Sequence, residues 1–472
     1  MPINFGTDGW RGVIAEDFTF DNVRLCAQGT ADMLTGNGDD RTVVVGYDTR
    51  FASERFAAAV AEVFAGNGLR VLLADRPSPT PAVGFNVVAR GAGSGVVITA
   101  SHNPPEWNGY KFKPDYGGSA SPEIVAELER HVANAEQQGQ FKAAPLADGV
   151  ESGLVEYFDP KPMYLENMAR LVNLDGISSA GLRVVVDSMY GSGAGYLGGL
   201  VSGGSTSAVE LRGERNPSFP GMAQPEPLPL NLEGLLKAVK ELDADVGLAT
   251  DGDADRLGVV DENGRFVTTL EAFALLCYYQ LEVLGNRGPL VRSITMTSMI
   301  DKLGKAYGVP VFDTPVGFKY LGPVMMREDA LTAGEESGGY AFRGNIPERD
   351  GILSGLMMLD LMVRTGKNVS ELLSILRDTV GPHHYDRLDF HFDAREREVI
   401  ERRVGTARPL QFAGRRVEDI DTRDGYRFVL PDGYWALIRF SGTEPLLRIY
   451  AEGDSPEMVQ SLLMEARSLA GV

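Results

Sequence analysis

A serine and a histidine stand side by side in the segment TASHNPPEWNGYK, which directly follows a short apolar run. Ser101 would lie in the loop after the carboxyl end of a buried strand, where α/β proteins commonly bind ligands. A hydroxyl in that place could act as a nucleophile. Alternatively, Asn103 and the prolines after it form a rigid turn whose backbone groups Ser101 and His102 satisfy. A serine hydrolase is less well supported, because no Gly-x-Ser-x-Gly pattern surrounds Ser101.

Three aspartates alternate with other residues in the segment DGDADR, again after an apolar run. Asp251, Asp253 and Asp255 can offer carboxylate oxygens to one hard divalent cation and leave positions open for a phosphate oxygen. An EF-hand is the competing interpretation, and Arg256 argues against it because that loop needs glycine at its sixth position. A solvated loop of mutually repelling carboxylates is the simpler alternative. The spacing favours a magnesium site.

Two further segments are rich in groups that bind sugar phosphates. The segment GEESGG, residues 334–339, offers two carboxylates and a hydroxyl on a flexible backbone, which suits hydrogen bonds to sugar hydroxyls. The segment RFSGTEPLLR, residues 439–448, offers two guanidinium groups, two hydroxyls and a glycine N–H. Guanidinium and hydroxyl donors are those that a phosphate dianion prefers. Either segment alone could also be an ordinary exposed turn.

The sequence around these segments has an α/β pattern, in which apolar β-branched runs alternate with stretches of helical periodicity. Strands are predicted at residues 42–45, 71–73, 96–98, 182–186 and 246–248. Asn231 is the predicted N-cap of the helix that follows it, and Ser121 and Ser455 each precede a proline, as N-caps often do. Polar stretches at residues 134–153 and 383–387 are predicted linkers.

Length and charge limit the classes of protein that this chain can represent. At ~150 residues per domain, 472 residues predict about three domains. A net charge of −20 repels polyanions, so nucleic acid and anionic membranes are not expected partners. The two cysteines, Cys26 and Cys277, imply no disulfide framework, and no leader-like or long apolar segment is present. A cytoplasmic protein is therefore expected.

A glycine pattern supports an alternative from another class. Gly193, Gly195 and Gly198 match the spacing of a dinucleotide-binding fingerprint, which would indicate an NAD-linked oxidoreductase. However, the first glycine lies several residues beyond the predicted strand, and no convincing acid follows about 20 residues later. A P-loop kinase is unsupported because the sequence has no Gly-x-x-x-x-Gly-Lys-[Ser/Thr] pattern.

Together, the four segments supply a nucleophilic hydroxyl, a cation site, a sugar loop and a phosphate cradle. These parts suffice to transfer a phosphoryl group between sugar hydroxyls. With TASHNPPEWNGYKF, DGDADR, GEESGG and RFSGTEPLLR in this order, the chain resembles the α-D-phosphohexomutases, the phosphoglucomutase/phosphomannomutase family. The opening segment FGTDGWRG extends the resemblance over essentially the whole chain.

The resemblance implies an α/β fold of four domains around a central cleft, with three related α/β domains and a smaller C-terminal α+β domain. The expected divisions are residues 1–148 with the phosphoserine loop, 149–262 with the metal loop, 263–378 with the sugar loop and 379–472 with the phosphate loop.

The resemblance also implies roles for individual residues. Ser101 would carry the phosphoryl group and, with Asp251, Asp253 and Asp255, would hold Mg²⁺. Arg11 would lie beside the phosphoserine, while His102 and Lys111 are candidates for positioning and acid–base work. The implied substrate-binding residues are Arg256, Gly317, Lys319, Glu335, Ser337, Arg439, Ser441, Gly442, Thr443 and Arg448.

The implied reaction interconverts glucose 1-phosphate and glucose 6-phosphate through a phosphoserine and glucose 1,6-bisphosphate. GEESGG, and Phe318 before Lys319, resemble the phosphoglucomutase branch, so glucose is expected rather than mannose. A phosphomannomutase, a bisphosphate synthase or another sugar-phosphate mutase would use the same residues, whereas a silent sugar-phosphate binding protein would need only the phosphate cradle. The chain is expected to be a monomer or homodimer.

Overall fold

The computed structural model describes residues 3–6, 8–37, 42–441 and 445–472. Gly442 and Thr443, two of the residues expected to bind phosphate, lie outside this part of the chain. Among the described residues, no helix has the length and apolar character that a membrane span requires.

The first part of the chain forms a six-stranded sheet covered by helices. Its elements are β1 Trp10–Val13, α1 Phe20–Asn37, β2 Thr42–Tyr47, α2 Ser53–Gly66, β3 Arg70–Ala74, α3 Thr80–Ala89, β4 Ser94–Ile98, β5 Trp107–Pro114, α4 Pro122–Gln138, α5 Leu146–Glu151 and β6 Val155–Phe158. The strand order is β1-β5-β4-β2-β3-β6, and β5 pairs antiparallel with both of its neighbours. Strand β6 pairs with β3 and so belongs to the first sheet, although it lies beyond the domain boundary expected at residue 148.

A second sheet of five strands follows, in the order β11-β10-β9-β7-β8. Its region contains α6 Lys161–Leu171, α7 Leu174–Ser179, β7 Arg183–Asp187, α8 Leu197–Val201, β8 Ser207–Leu211, α9 Glu233–Glu241, β9 Val246–Thr250, β10 Leu257–Asp261 and β11 Phe266–Val267. The loop between β9 and β10 contains the three aspartates.

The third sheet has the order β13-β12-β14-β15. Its region contains α10 Thr269–Tyr278, β12 Leu290–Ser293, α11 Met299–Tyr307, β13 Val311–Thr314, α12 Phe318–Glu328, β14 Thr332–Gly334, β15 Tyr340–Phe342, α13 Gly351–Thr365 and α14 Val369–Val380. One core cluster includes apolar residues from α6 to α14, so the second and third sheets share an interior. The first sheet has its own core.

The C-terminal part is an antiparallel sheet with helices on one face. Its elements are β16 His384–His391, α15 Arg397–Thr406, β17 Gln411–Phe412, β18 Arg415–Arg416, β19 Asp419–Asp421, β20 Tyr426–Val429, β21 Trp435–Phe440, β22 Leu446–Gly453 and α16 Pro456–Ala470. The sheet order is β16-β22-β21-β20-β19, and β17 and β18 form a separate short hairpin. Residues of α15 and α16 pack on this sheet in a distinct core.

The local predictions agree with these elements at most positions. All five predicted strands are present, as β2, β3, β4, β7 and β9. Ser121 and Ser455 cap their helices by accepting backbone hydrogen bonds. Asn231 was wrongly predicted as an N-cap, because its side chain instead donates to the carbonyl oxygens of Gln224 and Glu226. The predicted linkers were also wrong in part: residues 384–387 begin β16, and α5 lies within residues 134–153.

Candidate active site

Ser101 lies in the loop after β4 and is completely buried. Its backbone is left-handed, with φ of 53°, a conformation that costs about 1–3 kcal/mol for a residue with a side chain. Its hydroxyl donates a hydrogen bond to Asp251 Oδ2 at 3.0 Å, and its N–H donates to Thr99 Oγ1 at 2.9 Å. Gly252 permits this close approach, since a Cβ there would lie 2.5 Å from the Ser101 carbonyl oxygen. Two loops from different sheets are thus joined at the serine.

Arg50, which no sequence motif singled out, holds the serine loop in place. The side chain is buried, and its Nε lies 3.3 Å from Asp48 Oδ2. Its guanidinium donates to four carbonyl oxygens of the loop at 2.6 to 3.0 Å, those of Ser101, Asn103, Pro104 and Trp107. The available signal was weak: Arg50 belongs to the segment GYDTR, which continues β2 into a turn.

The three aspartates converge as their spacing predicted. Asp251, Asp253 and Asp255 are each completely buried, and one oxygen from each lies within 4.8 Å of the others. Asp251 Oδ1 accepts hydrogen bonds from the N–H groups of Asp255 and Arg256. Oδ1 of Asp253 and Oδ1 of Asp255 have no hydrogen-bond partner among the described residues. The alternative of a solvated surface loop is therefore wrong.

Lys111 supplies positive charge to this cluster. Its Nζ lies 2.7 Å from Asp8 Oδ2, 2.9 Å from Asp253 Oδ2 and 3.4 Å from Asp255 Oδ2. Burial by itself would lower the pKa of Lys111, but the carboxylates outweigh it and raise that pKa. Lys111 is therefore an ammonium ion in the substrate-free protein.

The donor set fits a hard divalent cation. Burial, reinforced by Asp255 and Asp253, raises the pKa of Asp251 well above its ordinary value, and burial also raises that of Asp255. A cation would relieve the repulsion among these carboxylates. The Oδ1 atoms of Asp253 and Asp255, which accept no hydrogen bond from the described residues, are oxygen ligands of the kind that Mg²⁺ prefers.

His102 lies next to the serine, and Arg11 contacts the same loop. His102 Nδ1 is 3.4 Å from Ser101 Oγ. Burial lowers the pKa of His102 well below its ordinary value, and the cations Arg256 and Arg11 lower it further, so the imidazole is neutral at pH 7. Arg11 Nη1 donates to Asn103 Oδ1 at 2.5 Å, which brings the guanidinium to the same loop.

The expected sugar loop connects β14 and β15. Glu335 is buried, and its Oε1 accepts a hydrogen bond from the Gly317 N–H at 2.7 Å. Burial, with a contribution from Glu336, raises the pKa of Glu335 to about 7. Ser337 is half-buried in the same loop. Lys319 Nζ donates to the Gly6 carbonyl oxygen at 3.3 Å, which joins α12 to the N-terminal segment.

Two arginines face each other in the C-terminal sheet. Arg439 on β21 pairs directly with Arg448 on β22. Like charges at directly opposed positions of an antiparallel pair are destabilising, so the arrangement favours an anionic ligand. Arg439 Nε donates to Asp424 Oδ2 at 3.0 Å, whereas Arg448 Nε lies 3.9 Å from Asp389 Oδ2. Ser441 is buried at the end of β21.

Three acid–arginine contacts of the site could not be predicted from the motifs. Arg256 Nη1 is ion-paired with Glu226 Oε1. Arg349, on the segment before α13, lies 3.0 Å from Asp255 Oδ2 and also contacts Asp8. Because each partner is distant in sequence, no local spacing could have indicated these pairs.

The first glycine of the dinucleotide-like pattern, Gly193, serves packing instead. A Cβ on Gly193 would lie 2.6 Å from Thr250 Oγ1 and 3.0 Å from the Ala254 Cβ. A Cβ on the neighbouring Gly191 would lie 2.7 Å from the Asp251 carbonyl oxygen. This turn is pressed against the aspartate loop, which does not favour the NAD alternative.

Comparison with known proteins agrees with this geometry. Four domain models described as phosphoglucomutase/phosphomannomutase match the chain: alpha/beta/alpha domain I at residues 2–139, domain II at 162–264, domain III at 271–379 and the C-terminal domain at 395–469. The expected four-domain α/β fold is thereby confirmed. The exact divisions at residues 148, 262 and 378 stay predictions.

Individual relatives match over nearly their whole length. A phosphoglucomutase/phosphomannomutase of Thermococcus kodakarensis is 32% identical over 97% of this chain and 96% of its own. A Methanopyrus kandleri protein provisionally named phosphoglucosamine mutase is 32% identical over 97% of this chain and 95% of its own. The crystal structure of a presumed phosphomannomutase from Thermus thermophilus has a TM-score of 0.86, 36% identity and full coverage of both chains. The chain therefore belongs to the phosphoglucomutase/phosphomannomutase family, whose members are phosphohexomutases, and it is an intramolecular phosphotransferase.

Proposed function

We propose that the chain is a phosphoglucomutase that interconverts glucose 1-phosphate and glucose 6-phosphate through phospho-Ser101 and glucose 1,6-bisphosphate. The observation that carries the proposal is the 3.0 Å hydrogen bond from Ser101 Oγ to Asp251 Oδ2, beside two further buried aspartates. A hydroxyl able to carry phosphate thus adjoins a group of carboxylates that fits Mg²⁺.

In this proposal Ser101, Asp251, Asp253 and Asp255 hold the magnesium ion. When bound, the ion would offset the negative charge that develops on the transferred phosphoryl group. Lys111 adds a fixed positive charge 2.9 Å from Asp253, and Arg11 adds another beside the serine loop. Both cations would stabilise the dianionic phosphoserine.

The transfer itself breaks one P–O bond and forms another. A hydroxyl of the bound sugar phosphate attacks the phosphorus of phospho-Ser101, and Ser101 Oγ leaves with its electron pair as the hydroxyl proton is removed. His102 and Lys111 are the candidates for moving protons. A neutral His102 can accept one, whereas Lys111, as an ammonium ion, can only donate.

The remaining residues would hold the sugar in two orientations. One phosphate of the bound sugar does not react. Contacts to that phosphate hold the sugar so that its reacting hydroxyl is correctly placed, and binding energy is thereby used for orientation. We assign that phosphate to the opposed arginines, a choice supported by their like charge, and the ring to the loop of Glu335. The proposed set is Arg256, Gly317, Lys319, Glu335, Ser337, Arg439, Ser441, Gly442, Thr443 and Arg448.

Glucose is the proposed sugar because the chain has phenylalanine at position 318. Phe318 is 1% exposed and packs in an apolar cluster, so it offers no hydrogen bond to a sugar. A phosphoglucosamine mutase is the second candidate, supported by the provisional name of the Methanopyrus kandleri relative. Phosphomannomutase or bisphosphate synthase activity would need the same serine and aspartates.

A cytoplasmic location is supported by two free, buried thiols, and a monomer or homodimer is proposed.

The test is a coupled assay for glucose 6-phosphate formed from glucose 1-phosphate, with Mg²⁺ and trace glucose 1,6-bisphosphate. We expect activity in the wild type that falls to background in Ser101→Ala. Mannose 1-phosphate and glucosamine 1-phosphate are assayed in parallel, each with its own product detection. A higher kcat/KM for either of these would overturn the choice of glucose, and full activity of Ser101→Ala would overturn the nucleophile.

A further inference from the structure

The two oxygens of the Asp253 carboxylate have different surroundings. Oδ2 accepts a hydrogen bond from Thr80 Oγ1 at 2.6 Å and another from Lys111 Nζ at 2.9 Å. Oδ1 is buried and has no partner among the described residues. A buried acceptor without a partner is costly, about 1–3 kcal/mol, so a ligand is expected at Oδ1.

Thr80 contacts Asp253 through both its main chain and its side chain. The Thr80 N–H donates to the Asp253 carbonyl oxygen at 2.9 Å, in addition to the hydroxyl contact with Oδ2. Thr80 is the first residue of α3 and is completely buried. Because a β-branched side chain has restricted χ1, the hydroxyl has little freedom to follow a rotating carboxylate.

Helix α3 is itself held between the first and second sheets. Val83 packs so closely on β2 that a Cβ added to Gly46 would lie 2.3 Å from its Cγ2. Asn86 Nδ2 donates to the Pro160 carbonyl oxygen at 2.9 Å. Phe85 packs edge-on against Tyr164 of α6, with ring centroids 6.2 Å apart. Thr80 is therefore a fixed donor on α3, a helix of the first sheet, and it contacts the aspartate loop of the second sheet.

Lys111 cannot orient Asp253 in the same way. Its single ammonium group is shared by Asp8, Asp253 and Asp255, and an ammonium acts as a compact point charge without the directional preference of a hydroxyl donor. If Asp253 rotated, the three N–H donors of that ammonium could bond to either carboxylate oxygen. The hydroxyl of Thr80 donates specifically to Oδ2. Because its position is fixed, this hydrogen bond can determine which of the two Asp253 oxygens faces Thr80.

We propose that Thr80 is a positioning residue of the magnesium site. Its hydroxyl donates a hydrogen bond to Oδ2 of Asp253 and so leaves Oδ1 available to bind the ion. The inference rests on the magnesium site of the proposed function. Partners of metal ligands typically change metal affinity by 10–100-fold when they are removed, so we expect Thr80→Val to weaken Mg²⁺ binding at least about 10-fold.

The test is calorimetric titration of MgCl₂ into the metal-depleted, dephosphorylated full-length protein. Thr80→Val keeps the shape of the side chain but lacks the hydroxyl donor. Thr80→Ala also lacks the hydroxyl and introduces no additional apolar bulk. Thr80→Ser keeps a hydroxyl donor. We expect weaker binding in the first two and wild-type affinity in the third. Thr30→Val is the matched control, because Thr30 is equally buried but bonds to Cys26 and Tyr110. It should lower the melting temperature without changing Mg²⁺ affinity.

The outcomes separate this inference from the function on which it rests. Wild-type Mg²⁺ affinity in folded Thr80→Val or Thr80→Ala would overturn the positioning role. So would a loss of affinity in Thr80→Ser equal to that in Thr80→Val. If Asp251→Asn and Asp253→Asn both bind Mg²⁺ like the wild type, the magnesium site itself is wrong. If those two lose binding while the Thr80 variants keep it, only the role of Thr80 fails.

Discussion

Arg349 and Asp255 are joined inside the candidate site, with Nη2 of the arginine 3.0 Å from Oδ2 of the aspartate. The same nitrogen contacts Asp8, and Arg349 Nε lies 3.2 Å from Glu348 Oε1. These acids come from the aspartate loop, the N-terminal segment and the segment before α13. One buried guanidinium therefore connects parts of the chain that belong to three different sheets.

Arg349→Gln should lower the free energy of unfolding strongly. Removing one member of a buried ion-pair network leaves uncompensated carboxylates, at a cost of about 3–5 kcal/mol. Urea denaturation followed by circular dichroism measures this. Arg70→Gln is the control, because Arg70 pairs with Glu156 while both side chains are more than half exposed, and such pairs contribute about 0–1 kcal/mol. Equal losses in the two variants would contradict the connecting role of Arg349.

Glu335 should make stability depend on pH near neutrality. Burial raises its pKa in the folded protein to about 7 from an ordinary value of 4.5, so the folded state binds this proton more tightly than the unfolded chain. The resulting stability is fully present below pH 4.5 and is lost as pH rises through about 7. Glu335→Gln cannot titrate. We therefore expect its unfolding free energy to rise relative to the wild type between pH 5 and pH 8, by up to about 3 kcal/mol. A constant difference across that range would show that Glu335 does not titrate there.

The opposed arginines should contribute to substrate affinity and not to stability. Arg448→Gln removes a guanidinium donor from the proposed phosphate and relieves repulsion with Arg439. A hydrogen bond to a charged group contributes about 1.5–3 kcal/mol, so KM for glucose 1-phosphate should rise about 10–100-fold. The melting temperature should stay the same or rise. Arg395→Gln is the control, because the side chain of Arg395 is 88% exposed. If Arg448→Gln raises KM no more than Arg395→Gln does, the proposed phosphate cradle is wrong.

Glu452 should hold the C-terminal sheet against the third. It accepts hydrogen bonds from the Ser298 N–H and Oγ at 2.8 and 2.7 Å, from Trp435 Nε1 at 2.8 Å, and from Thr297 Oγ1. Glu452→Ala leaves these donors unpaired, at about 1–3 kcal/mol for each buried group. Hydrogen exchange should become faster in β21, in β22 and at the start of α11, while β2 and β4 keep their protection.

The matched variant is Glu452→Gln, which keeps the length of the side chain and one acceptor oxygen. It should show a smaller effect in the same segments. Exchange that accelerates uniformly throughout the protein would instead indicate global destabilisation, and would contradict a local docking role for Glu452.

Local sequence was sufficient to predict several parts of the fold. The strands that precede Ser101 and Asp251 were predicted from apolar runs, because burial of a strand leaves a contiguous local pattern. Two N-caps were predicted correctly at Ser121 and Ser455. Asn231 failed because an asparagine can satisfy neighbouring loop carbonyls as well as a helix terminus, and the choice depends on the loop at residues 224–226.

Each short segment carries its own chemistry, which can be read from the sequence: a hydroxyl, three alternating carboxylates and a run of phosphate donors. Which of these groups meet depends on the tertiary structure. The Ser101–Asp251 contact spans 150 residues, Thr80–Asp253 spans 173 and Asp8–Arg349 spans 341. Such pairs depend on how sheets and helices pack across domains, and packing is encoded by many distributed apolar contacts rather than by any local spacing. For that reason the aspartate cluster could be predicted, whereas Arg50, Thr80 and Arg349 could not.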